Sequence, residues 1–307
     1  MPKPYLKPAL TFDQQLAKLR LRGMQIADEQ AAIDALSSIS YYRLSAYWYP
    51  FRQRDAHNHF TSTLRPGTCF EQVVQLYEFD RHLRLLLLDG IERVEVAIRT
   101  QLTYHLGHAY GAFAHTDARH FHHKFDHRKW LNQLEAETMR SSDEFIRHYQ
   151  ASYEGFPQVP IWMLTEVMSL GSLSLCYKGL KNDHKAGVED KKAISQHFNL
   201  HHKRLTDWLH TLTYVRNVCA HHSRLWNREL AIRPDKVKDE EWLPPITPRN
   251  NRVFYILLMI RHLLRAHQHG DHWANQVNQL LAPIAATPEY RIAMGLPEHW
   301  QTHPIWQ

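Results

Sequence analysis

At 307 residues, with 44% hydrophobic and 22% charged residues, the chain can bury a large core. It holds no apolar run long enough to span a membrane, and Leu85–Leu88 is only a short patch between charges. A net charge of +6 with neutral histidines, and more Arg than Lys, suit a polyanionic partner. Cys69, Cys176 and Cys219 are not closely paired, and the opening MPKPYLKPAL lacks the apolar core of a signal peptide. A cytoplasmic protein with no membrane attachment is expected. Few glycines and abundant Leu, Ala, Gln and Arg favour an all-α fold.

In chain order, Thr11 and Gln14 form a capping-box pattern that opens a helix through Leu16 and Leu19, with Gly23 as its stop. Asp28 is placed to cap a second helix carrying Ala32, Leu36 and Ile39. The block Tyr41–Arg52 interleaves aromatic side chains with Arg43 and Arg52. Such a mixture can stack bases and hold phosphates. Tyr47 and Trp48 are the rings assigned to RNA here, although most of the aromatics read as a packed joint between helices and Arg43 and Arg52 are the better ligand candidates. Residues 53–67 are polar with Pro and Gly, and read as a loop or short hairpin.

Thr68 and Glu71 repeat the capping-box pattern ahead of the longest helical periodicity, from Cys69 to about His105. Glu95 and Arg99 stand four apart and can pair. His105 then reads either as a cap before Gly107 or, with Arg99, as half of a site. Residues 107–125 form a His-rich loop. The cluster His120, His122, His123 and His127 is the best metal candidate, but a solvated, His-rich loop is the simpler reading. Helices follow at about 126–140 and 143–151, and Phe156–Pro160 is a rigid connector. Pro160–Gly171 is apolar nearly all round and reads as one buried helix ended by Gly171. Its one acid, Glu166, either needs a cationic partner or sits at an edge in solvent. A charged segment over 181–192 leads to another helix. The segment 231–250 reads as extended, Val253–His267 as a strongly apolar helix, Trp273–Leu281 as a further one, and the chain from Pro283 as a Pro-punctuated tail.

The stretch Tyr214–Arg228 (YVRNVCAHHSRLWNR) carries the chemistry: Arg216, Asn217, His221 and, beside it, His222. Histidine moves protons near neutral pH, and arginine holds phosphate in a planar fork. Asn217 and His221, four apart, share a helix face. Arg216 and His221, five apart, are about 140° apart on an ideal helix. The spacing alone is weak: chance supplies about six such Arg–His matches in a chain this rich in both. Arg54/His59, Arg204/His210 and Arg261/His267 are among them.

Five blocks together resemble the Abi family of bacterial abortive-infection proteins, the AbiD/AbiF-like group. They are Leu16–Gly23, Tyr41–Arg52, Ile91–Gly107, Pro160–Leu173 and Tyr214–Asn227, in the family's order. The resemblance implies a HEPN-type helical bundle with an added N-terminal helical pair and aromatic joint. The corresponding divisions are 1–67, 68–285 and a tail over 286–307. It further implies a metal-independent ribonuclease, with no cofactor, that uses Arg216, Asn217 and His221, with Arg99 and His105 as a looser second motif. Glu95, Glu166 and His222 would support them. Such sites are often composites across a homodimer or within one chain. Ala46 stands where the family commonly has Gly. The expected function is RNA cleavage in phage defence through 2′-OH attack, leaving a 2′,3′-cyclic phosphate. Its rivals are a non-catalytic RNA-binding or sensing protein, bound to a small non-coding RNA, and a His-rich metalloenzyme.

Overall fold

The computed structural model describes residues 4–182, 190–247, 249–265 and 270–307. Among these residues the fold is all-α, with a single two-stranded hairpin. The chain divides into two compact units, Met1–Leu83 and Arg84–Gln307.

In the first unit, α1 (Phe12–Leu21) opens with the expected capping box between Thr11 and Gln14. The Asp28 side chain caps α2 (Glu29–Ile39) by accepting the Ala31 N–H. Leu16, Leu19, Ala32 and Leu36 supply the buried faces, and an Arg20–Glu29 ion pair ties the two helices at the surface. Next come α3 (Tyr41–Trp48), a 3-10 turn, and the hairpin of β1 (Arg52–Arg54) and β2 (Phe60–Leu64). The hairpin expected over 53–67 is thus present.

The long helix α4 runs Phe70–Tyr110 and belongs to both units. The second capping box does not form. Thr68 donates its hydroxyl to the Arg65 carbonyl (2.7 Å), and Glu71 accepts the Ala27 N–H (3.1 Å). Both side chains serve the chain that crosses the helix start. The helix also passes His105 and Gly107, and ends where Gly111 takes a left-handed φ of 82°. Glycine inside a helix is tolerated where neighbours hold the turn.

The second unit continues with α5 (His127–Arg140), α6 (Glu144–Ser152), α7 (Ile161–Val167), α8 (Leu170–Gly179), α9 (Asp190–His197), α10 (His202–Ala220), α11 (Val253–Leu264), α12 (Gly270–Ala285) and α13 (Pro288–Met294). The single buried helix expected over 160–171 is two helices. The chain breaks at Met168 and Ser169, where Ser169 caps α8 and Gly171 lies inside it. Every residue of α11 from Val253 to Leu264 except His262 is buried, as for a helix surrounded by its own unit. Gly90 permits this core. A Cβ there would lie 2.7 Å from Ile260 and 2.8 Å from Trp273. The Trp273 indole donates to the Leu86 carbonyl at 2.8 Å.

The segment from Pro283 is not a loose tail. Pro283 lies inside α12, and Trp300, Ile305 and Trp306 are buried. The Trp306 indole donates to Asn278 (2.6 Å), and Arg261 donates to the Gln307 carbonyl (3.2 Å). His267 and residues 183–189 of the charged segment lie outside the described residues.

Candidate functional site

The end of α10 is built as an exposed ledge on a buried base. Val215, Val218 and Cys219 face inward, while Arg216 and Asn217 are exposed. His221 is the residue at which the helix stops, with φ −86° and ψ 13°. His222 follows with a left-handed φ of 55°. The His222 N–H bonds the Cys219 carbonyl and the Ser223 N–H bonds the Val218 carbonyl, each at 3.0 Å. This is a Schellman end with histidine at the position where glycine is the usual choice. A side chain there costs of order 1 kcal/mol. The cost is met by Leu225 and Trp226, both buried, and by Asn227, which accepts from Arg252 at 3.2 Å.

This geometry bears on the angular separation of Arg216 and His221. The Arg216 guanidinium donates to the Asn217 side-chain oxygen at 3.4 Å, so the arginine is drawn toward the asparagine. Asn217 shares its face with His221 one turn later, and the His221 N–H closes on the Asn217 carbonyl at 3.0 Å. Arg216, Asn217 and His221 are all exposed. They offer a fork donor, an amide and an imidazole at one helix end.

Arg99 has a different setting. Glu95, Arg99, Thr103 and Gly107, spaced by four, form one stripe of α4 facing α7 and the turn after it. Arg99 bonds Glu95 at 2.5 Å and donates to the carbonyls of Met168 (2.9 Å) and Glu166 (3.2 Å). The Thr103 and Thr165 hydroxyls meet at 2.8 Å, and Gly107 faces Ile161. Glu166 is a solvent-touching edge residue: its side chain is 58% exposed and 4.0 Å from Arg99. On the other side of the same turn, Gly171 faces Thr213 of α10, one turn before Asn217. The α7–α8 turn therefore lies between Arg99 and the last turns of α10.

His105 lies on another side of α4 from Arg99, in the surroundings of Asp190. Burial lowers its pKa, against the attraction of Asp190 and with help from His108 and His197. Asp190 accepts the Tyr110 hydroxyl (2.6 Å), whose pKa burial and that bond push up to about 12. The Tyr110 ring stacks on His120 at 3.7 Å. The structure thus gives Arg99 and His105 different partners. The His-rich loop is also more packed than a solvated loop would be. His115 is 3% exposed and burial pushes it down to about 4, while His127 meets the His115 carbonyl at 2.8 Å. Among the described residues no group of three or more His, Cys, Asp or Glu is arranged to hold a metal.

The candidate RNA-binding residues belong to the first unit. Tyr47 and Trp48 are each 1% exposed, and the Tyr47 hydroxyl donates to Asp80 at 2.7 Å, as in a packed joint. Neither ring presents a face to solvent. Arg43 is exposed, and Arg52 stacks over Tyr49 at 5.0 Å. Tyr42 and Tyr49 are the exposed aromatics of this block, and Tyr49 also meets Phe60 at 4.7 Å; Arg54 stacks on Phe60.

Sequence reasoning missed a cleft of about 490 Å³ in the second unit, lined by Thr100, Thr103, Tyr104, His108, Trp162 and Glu166. Tyr104 and Trp162 are each about half exposed, and Glu166 links the cleft to Arg99. The run around Trp162 reads as apolar nearly all round, whereas the structure leaves that ring half-exposed in the first turn of α7.

No helix among the described residues is long and apolar enough to cross a membrane. No curated protein and no solved structure matches the chain significantly. A family model described as Abi-like protein matches residues 34–227, more than half of the chain, from α2 through the ledge at the end of α10. That family suggests abortive infection, a form of phage defence. By this match the chain belongs to the Abi-like protein family.

Proposed function

We propose that the protein is a HEPN-type endoribonuclease of a phage-defence system, working in the cytoplasm on RNA. The observation that carries this reading is the grouping of Arg216, Asn217 and His221 on the exposed, strained end of α10, inside the family-matched segment. His221 takes the proton of a ribose 2′-OH, or delivers one to the leaving oxygen. The 2′-oxygen bonds to phosphorus, the bond from phosphorus to the 5′-oxygen breaks, and that oxygen leaves protonated. The products are a 2′,3′-cyclic phosphate and a 5′-hydroxyl. Arg216 stabilises the charge that develops on the phosphoryl oxygens, and Asn217 orients the guanidinium. One histidine can serve only one end of the reaction at a time. A second copy of the chain, bringing its own His221, would supply the other proton transfer. Arg99 is a positioning residue in this scheme, holding the α7–α8 turn beside α10. RNA incubated with the protein in EDTA should be cut by wild type and left intact by His221→Ala; equal cleavage by both would refute the assignment.

The cluster of Arg52, Tyr49, Phe60 and Arg54, with Tyr49 and Arg54 exposed, supports a second reading, RNA binding without cleavage, with a small non-coding RNA as the ligand. RNA that co-purifies intact, with no cut under any condition, would favour it.

A further inference from the structure

A separate cleft in the second unit lies between the chain before α11 and the end of α13. Its volume is about 320 Å³, at the lower end of small-ligand sites and enough for one nucleotide. Three features describe what it would take. The first is charge. Arg249 and Arg252 both line it, and Glu229 is its one acid. Glu229 is shared between Arg252 (3.4 Å) and Arg233 (3.8 Å), whereas Arg249 is exposed with no carboxylate at ion-pair distance among the described residues. The cleft therefore carries an uncompensated positive charge among its described lining residues. The second is an orphaned acceptor. The Asn251 side-chain oxygen is buried and receives no hydrogen bond, an omission that costs about 1–3 kcal/mol unless a ligand supplies the donor. The third is an apolar wall: Pro245 is exposed and Ile292 is 71% exposed, so both can meet a flat ring.

An anion, an N–H donor and a flat apolar face are combined in a nucleotide. We infer that this cleft binds a nucleotide, its phosphate on Arg249, an amino or imino edge of its base on the Asn251 oxygen, and the base face against Pro245 and Ile292. The inference rests on these residues and not on the nuclease reading. The nucleotide can be free or a unit of an RNA strand, and binding measurements separate the two.

The full-length protein would be titrated with AMP, GMP, CMP and UMP, with the matching nucleosides, and with a ten-nucleotide single-stranded RNA. The variants are Arg249→Glu, Asn251→Leu and, as a charge-matched control on exposed Arg147 of α6, Arg147→Glu. Arg249→Glu should weaken binding at least about tenfold, and Arg147→Glu less than about twofold. Asn251→Leu should reduce the differences among bases and keep the requirement for phosphate. Free mononucleotides that bind with this dependence identify a free ligand. RNA alone binding with it identifies a strand subsite. No saturable binding by any probe, or equal loss in Arg249→Glu and Arg147→Glu, would overturn the inference. His221→Ala should bind as wild type, so a failure of the nuclease reading leaves this result intact.

Discussion

The end of α10 and the middle of α4 each carry an Arg followed by a His at similar spacing, and they use them differently. At the end of α10 the helix stops at Ala220, so Arg216, Asn217 and His221 stay at the surface. In α4 the helix runs on to Tyr110, so Arg99 and His105 face different elements. Arg99 closes an α4–α7 seam through Glu95 and two carbonyls, and His105 sits near Asp190. The same two residue types thus lie together at the surface where the helix ends and are set apart where it continues, with Arg99 alone of the two bonded across the α4–α7 seam.

The largest expected effect tests the α10 side of this contrast. His221→Ala should lower RNA cleavage by about 10²–10⁴-fold and move stability by no more than about 0.5 kcal/mol, as read by single-turnover cleavage beside thermal melting. A matching fall in melting temperature would make the ledge a structural feature and erase the contrast. Arg99→Ala should do the opposite. Losing a half-buried ion pair and two carbonyl partners should cost about 2–4 kcal/mol in urea unfolding. Arg99→Lys should recover only part of this, since an ammonium lacks the planar fork. An Arg99→Ala protein of wild-type stability that cannot cut RNA would place Arg99 in the chemistry instead.

Gly90→Ala probes the packing that keeps α4 in place. Its added methyl meets Ile260 and Trp273, and overpacking of this kind should cost about 1–3 kcal/mol, again by denaturant midpoint. The smallest effect concerns His105. Burial lowers its pKa, so its neutral form is favoured in the fold. Its contribution to stability is complete above the ordinary histidine range and is lost as pH falls through that range toward the lowered value. Asp190 opposes this, and His108 and His197 reinforce it. His105→Gln should flatten the stability profile on the acid side of neutrality, measured as unfolding midpoint against pH. An unchanged slope would show that His105 titrates as in the unfolded chain.

Local patterns in the sequence correspond closely to local structure. The Thr11–Gln14 box, the Asp28 cap, the Glu95–Arg99 pair, the hairpin and most helices all depend on residues within a turn or two of one another. The misreadings have distant causes. Glu71 is diverted from a capping box by the Ala27 N–H, 44 positions away. The apolar run at 160–171 breaks at a turn whose carbonyls are taken by Arg99. Pro283 suggests a loose end, yet Trp300 and Trp306 bury themselves against the second unit's core.

For the candidate site, the sequence by itself determined the residue types and their order: Arg216, Asn217, His221 and the family-matched block around them. The tertiary structure decided which are displayed. A helix end that satisfies its last carbonyls leaves three polar side chains at the surface, and this takes Leu225, Trp226 and Asn227 to hold the chain beyond it. Tyr47 and Trp48 went into the core because each buries a large ring at little polar cost, and Tyr47 finds Asp80 for its hydroxyl. The clefts at Trp162 and at Arg249 join segments distant in sequence, and no periodicity records that closeness. Spacing along one helix encodes a shared face; proximity between segments exists only after the core has packed.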